Sequence, residues 1–224
     1  MTIPISLVIF DCDGVLVDSE MLSAGILKTM MAEIGLPITD EIFRQDFLGR
    51  SFANAAIQVG QRFGRRLPED FQLRYRDRLL KRMETRLKPM LGMAEVLSSM
   101  RVPICLATGS SPERLAVSMR TTKLERFFAG RCFTTSQVEQ GKPAPDVFFL
   151  AMQNMGNKPE NCLVLEDSEM GIRAGLASGA QVWHFAGGAH IKAGYHLPPD
   201  VTPHRSIDDC AALHSAFLEL GLCH

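Results

Sequence analysis

Two aspartates close the first apolar run of the chain, Asp11 and Asp13 within VIFDCDGVLVDSE. In an extended segment residues i and i+2 point the same way. Both carboxylates therefore face one side and Cys12 the other, where it reads as a small packing residue or a backbone N–H donor. Gly14 supplies the backbone freedom to leave the strand sharply. Two further apolar runs end in polar residues of the same kind. PICLA leads into Thr108-Gly109-Ser110-Ser111, and NCLVL into Glu166-Asp167-Ser168. Taken singly, these are ordinary turns and helix caps, and Ser168 reads as the cap of the next helix. Taken together, they bring four carboxylates and a hydroxyl to one place if the three runs are neighbours. Carboxylates that close must share a cation or a proton. Hard oxygen donors without histidine or cysteine favour Mg²⁺. Lys142 in QGKPAPD is held between restrictive prolines and suits a charge clamp on phosphate.

These residues need a scaffold that gathers strand ends. The runs SLVIF, PICLA, RCFTT, NCLVL and AQVWHF are short, continuous and rich in branched residues, as strands buried on both faces are. They are expected near 5–10, 103–107, 131–134, 162–165 and 181–185, with longer helical stretches between most of them. That alternation predicts an α/β protein: a Rossmann-like parallel sheet with helices on both faces. In such sheets ligands sit beyond the carboxyl ends of the strands. Between Asp18 and Lys88 no strand pattern occurs, although a crossover needs only about a dozen residues. The expectation is an all-helical insertion over 18–88 and a catalytic core over 1–17 and 89–224. Thr39 and Pro68 mark helix starts. Phe71, Tyr75, Leu79, Met83 and Leu87 form an apolar stripe, and Arg74, Arg78 and Arg82 beside it form a solvated charged face. Pro112 after Ser111 marks another helix start.

The chain has 224 residues and net charge -1, with 46% hydrophobic and 22% charged residues. This suits an ordinary globular protein with a large core. It lacks the basic signature of a nucleic-acid binder. No run reaches membrane-span length, and MTIPISLVIFDCD has no signal-peptide pattern. Cys12, Cys105, Cys132, Cys162, Cys210 and Cys223 form no CxxC pair, as expected of buried thiols in a reducing, cytoplasmic setting. His184, His190, His196, His204, His214 and His224 show no ligand spacing, and FAGGAH reads as a surface turn.

DCDGVLVDSE, LATGSS, GKPAPD and LVLEDSEMGIRAG, in that order, resemble the four motifs of the haloacid dehalogenase superfamily. The likeness is to its helical-cap phosphatase and β-phosphoglucomutase-like branch, and it spans nearly the whole chain. The resemblance implies that Asp11 is a nucleophile accepting a phosphoryl group. It implies that Asp13 moves the proton and offers its backbone carbonyl to Mg²⁺. Thr108 and Lys142 would hold phosphoryl oxygens, with Cys12, Asp13 and Gly109 also at the phosphate. Asp167 and Glu166 would complete the Mg²⁺ site with Asp11 and Asp13. In such enzymes the cap contacts the leaving group, for which Leu48, Gly49, Arg50 and Ser51 in the insertion, with Ser111 and Arg114 after the second motif, are the candidates. The implied activity is hydrolysis of a small phosphate ester, such as a sugar, polyol or sugar-acid phosphate. A related sugar phosphomutase is the alternative. Related mutases carry a histidine and an arginine in the cap, at positions nearest here to Ser23 and Phe52, with Arg50 close by but unmatched. Asp13 argues against a dehalogenase. A receiver-type phospho-acceptor would lack both the insertion and the DxDG strand.

Overall fold

The computed structural model describes residues 4–48, 52–192 and 194–224. Six strands run β1 Leu7–Phe10, β2 Ile104–Thr108, β3 Cys132–Thr134, β4 Cys162–Glu166, β5 Gln181–Phe185 and β6 Arg205–Ile207. All pair in parallel, in the order β3-β2-β1-β4-β5-β6. The five expected strands are present, and β6 extends the sheet. The order reverses at β1, which lies between β2 and β4, so the crevice for a ligand opens beyond the end of β1.

The reason these runs form strands lies in their burial. Every residue of β1, β2 and β4 is buried, and alternate residues feed opposite faces. Val8, Phe10, Leu106, Leu163 and Leu165 face one apolar cluster, packed by Met93 and Leu97, by Leu115 and Met119, and by Leu213 and Phe217. These come from α5 Met93–Ser99, α6 Pro112–Thr122 and α11 Cys210–Glu219. Leu7, Ile9, Cys105, Ala107 and Val164 face a second cluster under Val147, Phe148 and Ile172, from α8 Asp146–Asn154 and α9 Glu169–Ala177. Full burial of one such side chain contributes about 1.5–3 kcal/mol, which favours the parallel sheet over any exposed arrangement. Two short helices, α7 Glu125–Phe128 and α10 Ala189–Lys192, complete the core.

Between β1 and α5 lie α1 Glu20–Glu33, α2 Asp40–Asp46, α3 Phe52–Phe63 and α4 Phe71–Arg86, without a strand among the described residues. They hold an apolar cluster of their own, including Leu27, Met31, Phe43, Phe47, Val59 and Phe71. Thr39 caps α2, accepting from Ile42 N. α4 starts at Phe71 rather than at Pro68, whose carbonyl accepts the Phe71 N–H. Of its stripe, Phe71, Leu79, Met83 and Leu87 are buried. Arg74 and Arg78 stay half-exposed and pair with Glu33. The two chain crossings to this helical segment run side by side: Asp18 N donates to Lys88 O at 3.1 Å and Met90 N to Leu16 O at 2.9 Å. Among the described residues no helix is long and apolar enough to cross a membrane, and all six cysteines are free.

Candidate active site

The register of the sheet sets the site. Phe10 lies opposite Leu165 of β4 and Leu106 of β2, so Asp11, Glu166 and Ala107 follow at one level. Asp11 N donates to Leu165 O at 3.0 Å, which ties the end of β1 to β4. The chain then turns tightly, with Leu16 N and Val17 N both donating to Cys12 O. Gly14 sits in the left-handed region at φ 78°, and a Cβ there would lie 1.7 Å from Asp167 Oδ2. Only glycine fits. Cys12 is fully buried in the apolar cluster, on the side away from the two carboxylates. Burial pushes its thiol pKa well up, and Asp13 and Asp11 add to the effect.

Lys142 bridges two of the motifs. Its Nζ donates to Asp11 Oδ1 at 2.6 Å, to Glu166 Oε1 at 2.5 Å and to the Ala107 carbonyl at 3.1 Å. The ammonium also lies over the Phe148 ring, with Nζ 5.0 Å from the centroid. The ammonium is nine-tenths buried. Burial opposes its charge, but Asp11 and Glu166 outweigh this and hold its pKa above the usual lysine value. Glu166 Oε2 accepts from Asp167 N, Ser168 N and Ser168 Oγ, at 3.0–3.2 Å. Gly171 leaves room for that carboxylate, since a Cβ there would meet Glu166 Oε1 at 1.8 Å. Ser168 caps α9 as expected, accepting from Gly171 N.

Asp11, Glu166 and Asp167 each offer one oxygen, and these lie within 4.8 Å of one another in a buried cluster. One ammonium serves three carboxylates. Burial pushes the pKa of Asp11 well up against the pull of Lys142, with Glu166 and Asp167 adding to the rise. Asp167 is likewise raised by burial and by Glu166 and Asp13. A site of hard oxygens, short of positive charge, fits a divalent cation of the Mg²⁺ type.

Asp13 faces a different set of partners and its carboxylate stays out of that cluster. It accepts from Ser19 Oγ at 2.5 Å, from Ser110 Oγ, and from Arg114 Nη2 at 2.7 Å. Burial works against its charge, but Arg114 and the two hydroxyls win and lower its pKa. Thr108 is buried and its Oγ1 accepts from Ser110 N at 3.1 Å. Ser111 caps α6, accepting from Arg114 N, so the expected helix start is there. A cavity of about 770 Å³ joins these groups to the helical segment. Asp11, Asp13, Thr108, Gly109, Ser111, Arg114, Lys142, Glu166 and Asp167 all line it, with Leu48 on the far wall. Gly49, Arg50 and Ser51 lie outside the described residues.

Among the cavity residues that the sequence reading left out of the site are two ionisable ones beside Arg114 and Asp167. Glu20, the first residue of α1, lies 3.8 Å from Arg114. Burial raises its pKa to about 7, against Arg114 and with Asp13. Its place directly after DS in the first motif was the available signal. His190 is the second and corrects the reading of FAGGAH as a surface turn. It is 3% exposed, lines the cavity and places Nε2 3.0 Å from Asp167 Oδ2. Burial lowers its pKa and favours the neutral ring.

Residues 5–179 match the model of a hydrolase family, the haloacid dehalogenase-like hydrolases. The chain belongs to this family, as its four motifs led us to expect. The chain is similar to a 6-phosphogluconate phosphatase of Escherichia coli, 28% identical over 88% of this chain and 89% of that protein. It is 30% identical to a phosphorylated carbohydrates phosphatase of Thermotoga maritima, over 78% and 82% of the two chains. Among solved structures, a conserved haloacid dehalogenase-like protein of unknown function from Agrobacterium tumefaciens superposes with TM-score 0.84 at 28% identity, covering 97% of this chain and 99% of that one. A family hydrolase from Deinococcus radiodurans, with bound phosphate and sodium, gives 0.80 at 31% identity over 99% and 98%.

Proposed function

We propose that this protein is a Mg²⁺-dependent phosphatase of a small phosphorylated metabolite, a sugar, polyol or sugar-acid phosphate, working through an aspartyl phosphate on Asp11. The observation that carries this reading is the contact of Lys142 Nζ with both Asp11 and Glu166, at 2.6 and 2.5 Å, beside Asp167 in the cavity. Lys142 thereby sets one positive charge directly beside Asp11, where a phosphoryl oxygen would be held. The phosphatase names of the relatives support the same class.

In this reading an Asp11 oxygen attacks phosphorus in line with the ester oxygen. The ester P–O bond breaks with its electron pair going to the leaving alcohol, which takes a proton from Asp13. A water then attacks the same phosphorus and gives its proton to Asp13, and Asp11 is released with inorganic phosphate. Lys142, Thr108 and the backbone N–H groups of Cys12, Asp13 and Gly109 hold the phosphoryl oxygens. Asp11, Glu166, Asp167 and the Asp13 carbonyl would hold Mg²⁺, which supplies positive charge against the repulsion between phosphate and Asp11. In the free site Arg114 holds Asp13 as a carboxylate. For the first step Asp13 must exchange that contact for substrate and take up a proton from solvent.

We assign residues 18–88 the role of a cap and residues 1–17 and 89–224 that of the catalytic core. The cap side of the cavity combines Leu27, Phe52, Tyr75 and Leu79 with Glu20 and Gln72. Rings and aliphatic groups suit the carbon face of a small polyol or sugar, and the polar groups suit its hydroxyls. Neither nucleic acid nor membrane is a partner in this reading, and the free thiols suit a cytoplasmic setting. The mutase alternative is weaker, because Ser23 offers the cavity a hydroxyl where an imidazole is expected.

The test is phosphate release from a panel of sugar, polyol and sugar-acid phosphates and nucleotides, with Mg²⁺ or with chelator, for the wild type and Asp11→Asn. Release that requires both Mg²⁺ and Asp11 is the expected outcome. Isomerisation of a hexose 1-phosphate without release overturns hydrolysis in favour of the mutase.

A further inference from the structure

We propose that His190 is a positioning residue for the cation site: its Nε2–H holds the Asp167 carboxylate turned toward Asp11 and Glu166. The inference rests on the Mg²⁺ reading above. Asp11 and Glu166 share the Lys142 ammonium. His190 Nε2 lies 3.0 Å from Asp167 Oδ2, with side-chain exposures of 4% and 5%. A carboxylate that must ligate a cation needs its orientation fixed from outside the metal's own shell.

The local chain is built around this contact. After β5 the chain passes Gly187-Gly188 and delivers His190 in α10. A Cβ on Gly188 would lie 2.6 Å from His190 Cε1, and one on Gly14 would lie 3.0 Å from the same atom. The imidazole thus fills a slot between two residues without side chains. Ala189 N donates to Asp18 Oδ1 at 3.4 Å, tying the loop to the start of the helical segment. The Tyr195 ring flanks the imidazole at 5.9 Å, and its hydroxyl accepts from Glu169 N, just past Asp167. Among the described residues, His190 Nδ1 is buried without a partner. An N–H there would lack an acceptor, so the tautomer protonated at Nε2 is the less costly one. That is the tautomer able to donate to Asp167.

The measurement is Mn²⁺ binding by electron paramagnetic resonance, with Mn²⁺ standing in for Mg²⁺ and no substrate present. Asp167→Asn, His190→Met and His190→Gln are compared with the wild type. Gln can place an amide N–H near the position of Nε2, whereas Met fills the slot without a donor. Asp167→Asn should abolish binding, and His190→Met should weaken it by about 10–100-fold, with His190→Gln recovering most of the loss. Equal weakening in Met and Gln, or Met binding as the wild type while Asp167→Asn does not bind, overturns the role of His190 alone. Unchanged binding in Asp167→Asn overturns the cation reading instead. The wild type gives a second test, since ring ¹⁵N shifts report the tautomer directly. A proton on Nδ1 rather than Nε2 refutes the proposal even if a variant fails to fold.

Discussion

Lys142→Met separates the charge of the lysine from its packing. Methionine keeps an unbranched stem and removes the ammonium that lies over Phe148 and faces Asp11 and Glu166. Breaking a buried ion pair by removing one partner costs about 3–5 kcal/mol, because the remaining charges stay buried and unpaired. In a domain of this size each kcal/mol moves the melting temperature by about 2–4 °C, so a fall of about 6–20 °C is expected without divalent cation. The pH dependence has a definite sign. Asp11 and Asp167 already have folded-state pKa values raised above their unfolded ones. Loss of the ammonium, which pulls both values down, raises these two further. A carboxyl with a raised folded pKa destabilises at pH above that value and ceases to do so once protonated in both states. The deficit of the variant should therefore be largest at neutral pH and shrink as pH falls through the raised values. The assay is urea denaturation of both proteins in chelator, from neutral to mildly acidic pH. A deficit below about 1 kcal/mol at neutral pH, or one that grows on acidification, refutes the argument that Lys142 neutralises buried carboxylates.

Asp13→Asn keeps the hydrogen-bonding shape but cannot carry a proton, so turnover should fall by about 10²–10⁴-fold in a phosphate-release assay, with the fold unaltered by circular dichroism. Gly171→Ala drives a methyl into the Glu166 carboxylate, where the ideal Cβ position is 1.8 Å from Oε1. Strain of this kind in a packed site costs about 1–3 kcal/mol. The variant should melt earlier and release phosphate more slowly than a control at Gly60, whose added Cβ meets nothing within 4 Å.

The legibility of the fold followed from burial. β1, β2 and β4 are buried throughout, and a continuous apolar run is the imprint of such a strand. β6 carries no such imprint. Arg205 and Ser206 are exposed and only Ile207 is buried, so the strand exists through its pairing with β5 at the sheet edge. Three of the motifs were legible because they follow the ends of β1, β2 and β4, which parallel pairing must bring together, whereas Lys142 arrives on the loop between β3 and α8. His190 was hidden for the opposite reason. Its contact with Asp167 depends on a loop returning across the carboxyl edge from β5, and nothing in FAGGAH specifies that path. Glu20 was similarly opaque. Its raised pKa comes from burial beside Arg114 and Asp13, which lie far apart in the chain. The start of α4 was misplaced because Pro68 opens a turn, not the helix.

The paired crossings at Leu16–Asp18 and Lys88–Met90 carry a further consequence. Because the two backbones are hydrogen-bonded to each other, the sheet meets the whole helical segment as if it were one long loop closed at its base. The entropy of closing a loop grows only with the logarithm of its length. Lengthening, shortening or exchanging the helices therefore costs the sheet little, provided the clasp is kept. In the function proposed above, the residues that would cradle phosphate and those that would choose its ester are then free to change at different rates. On that proposal, grafting between residues 18 and 88 would re-aim the scaffold at a new metabolite, with Asp11 and Lys142 left where they stand.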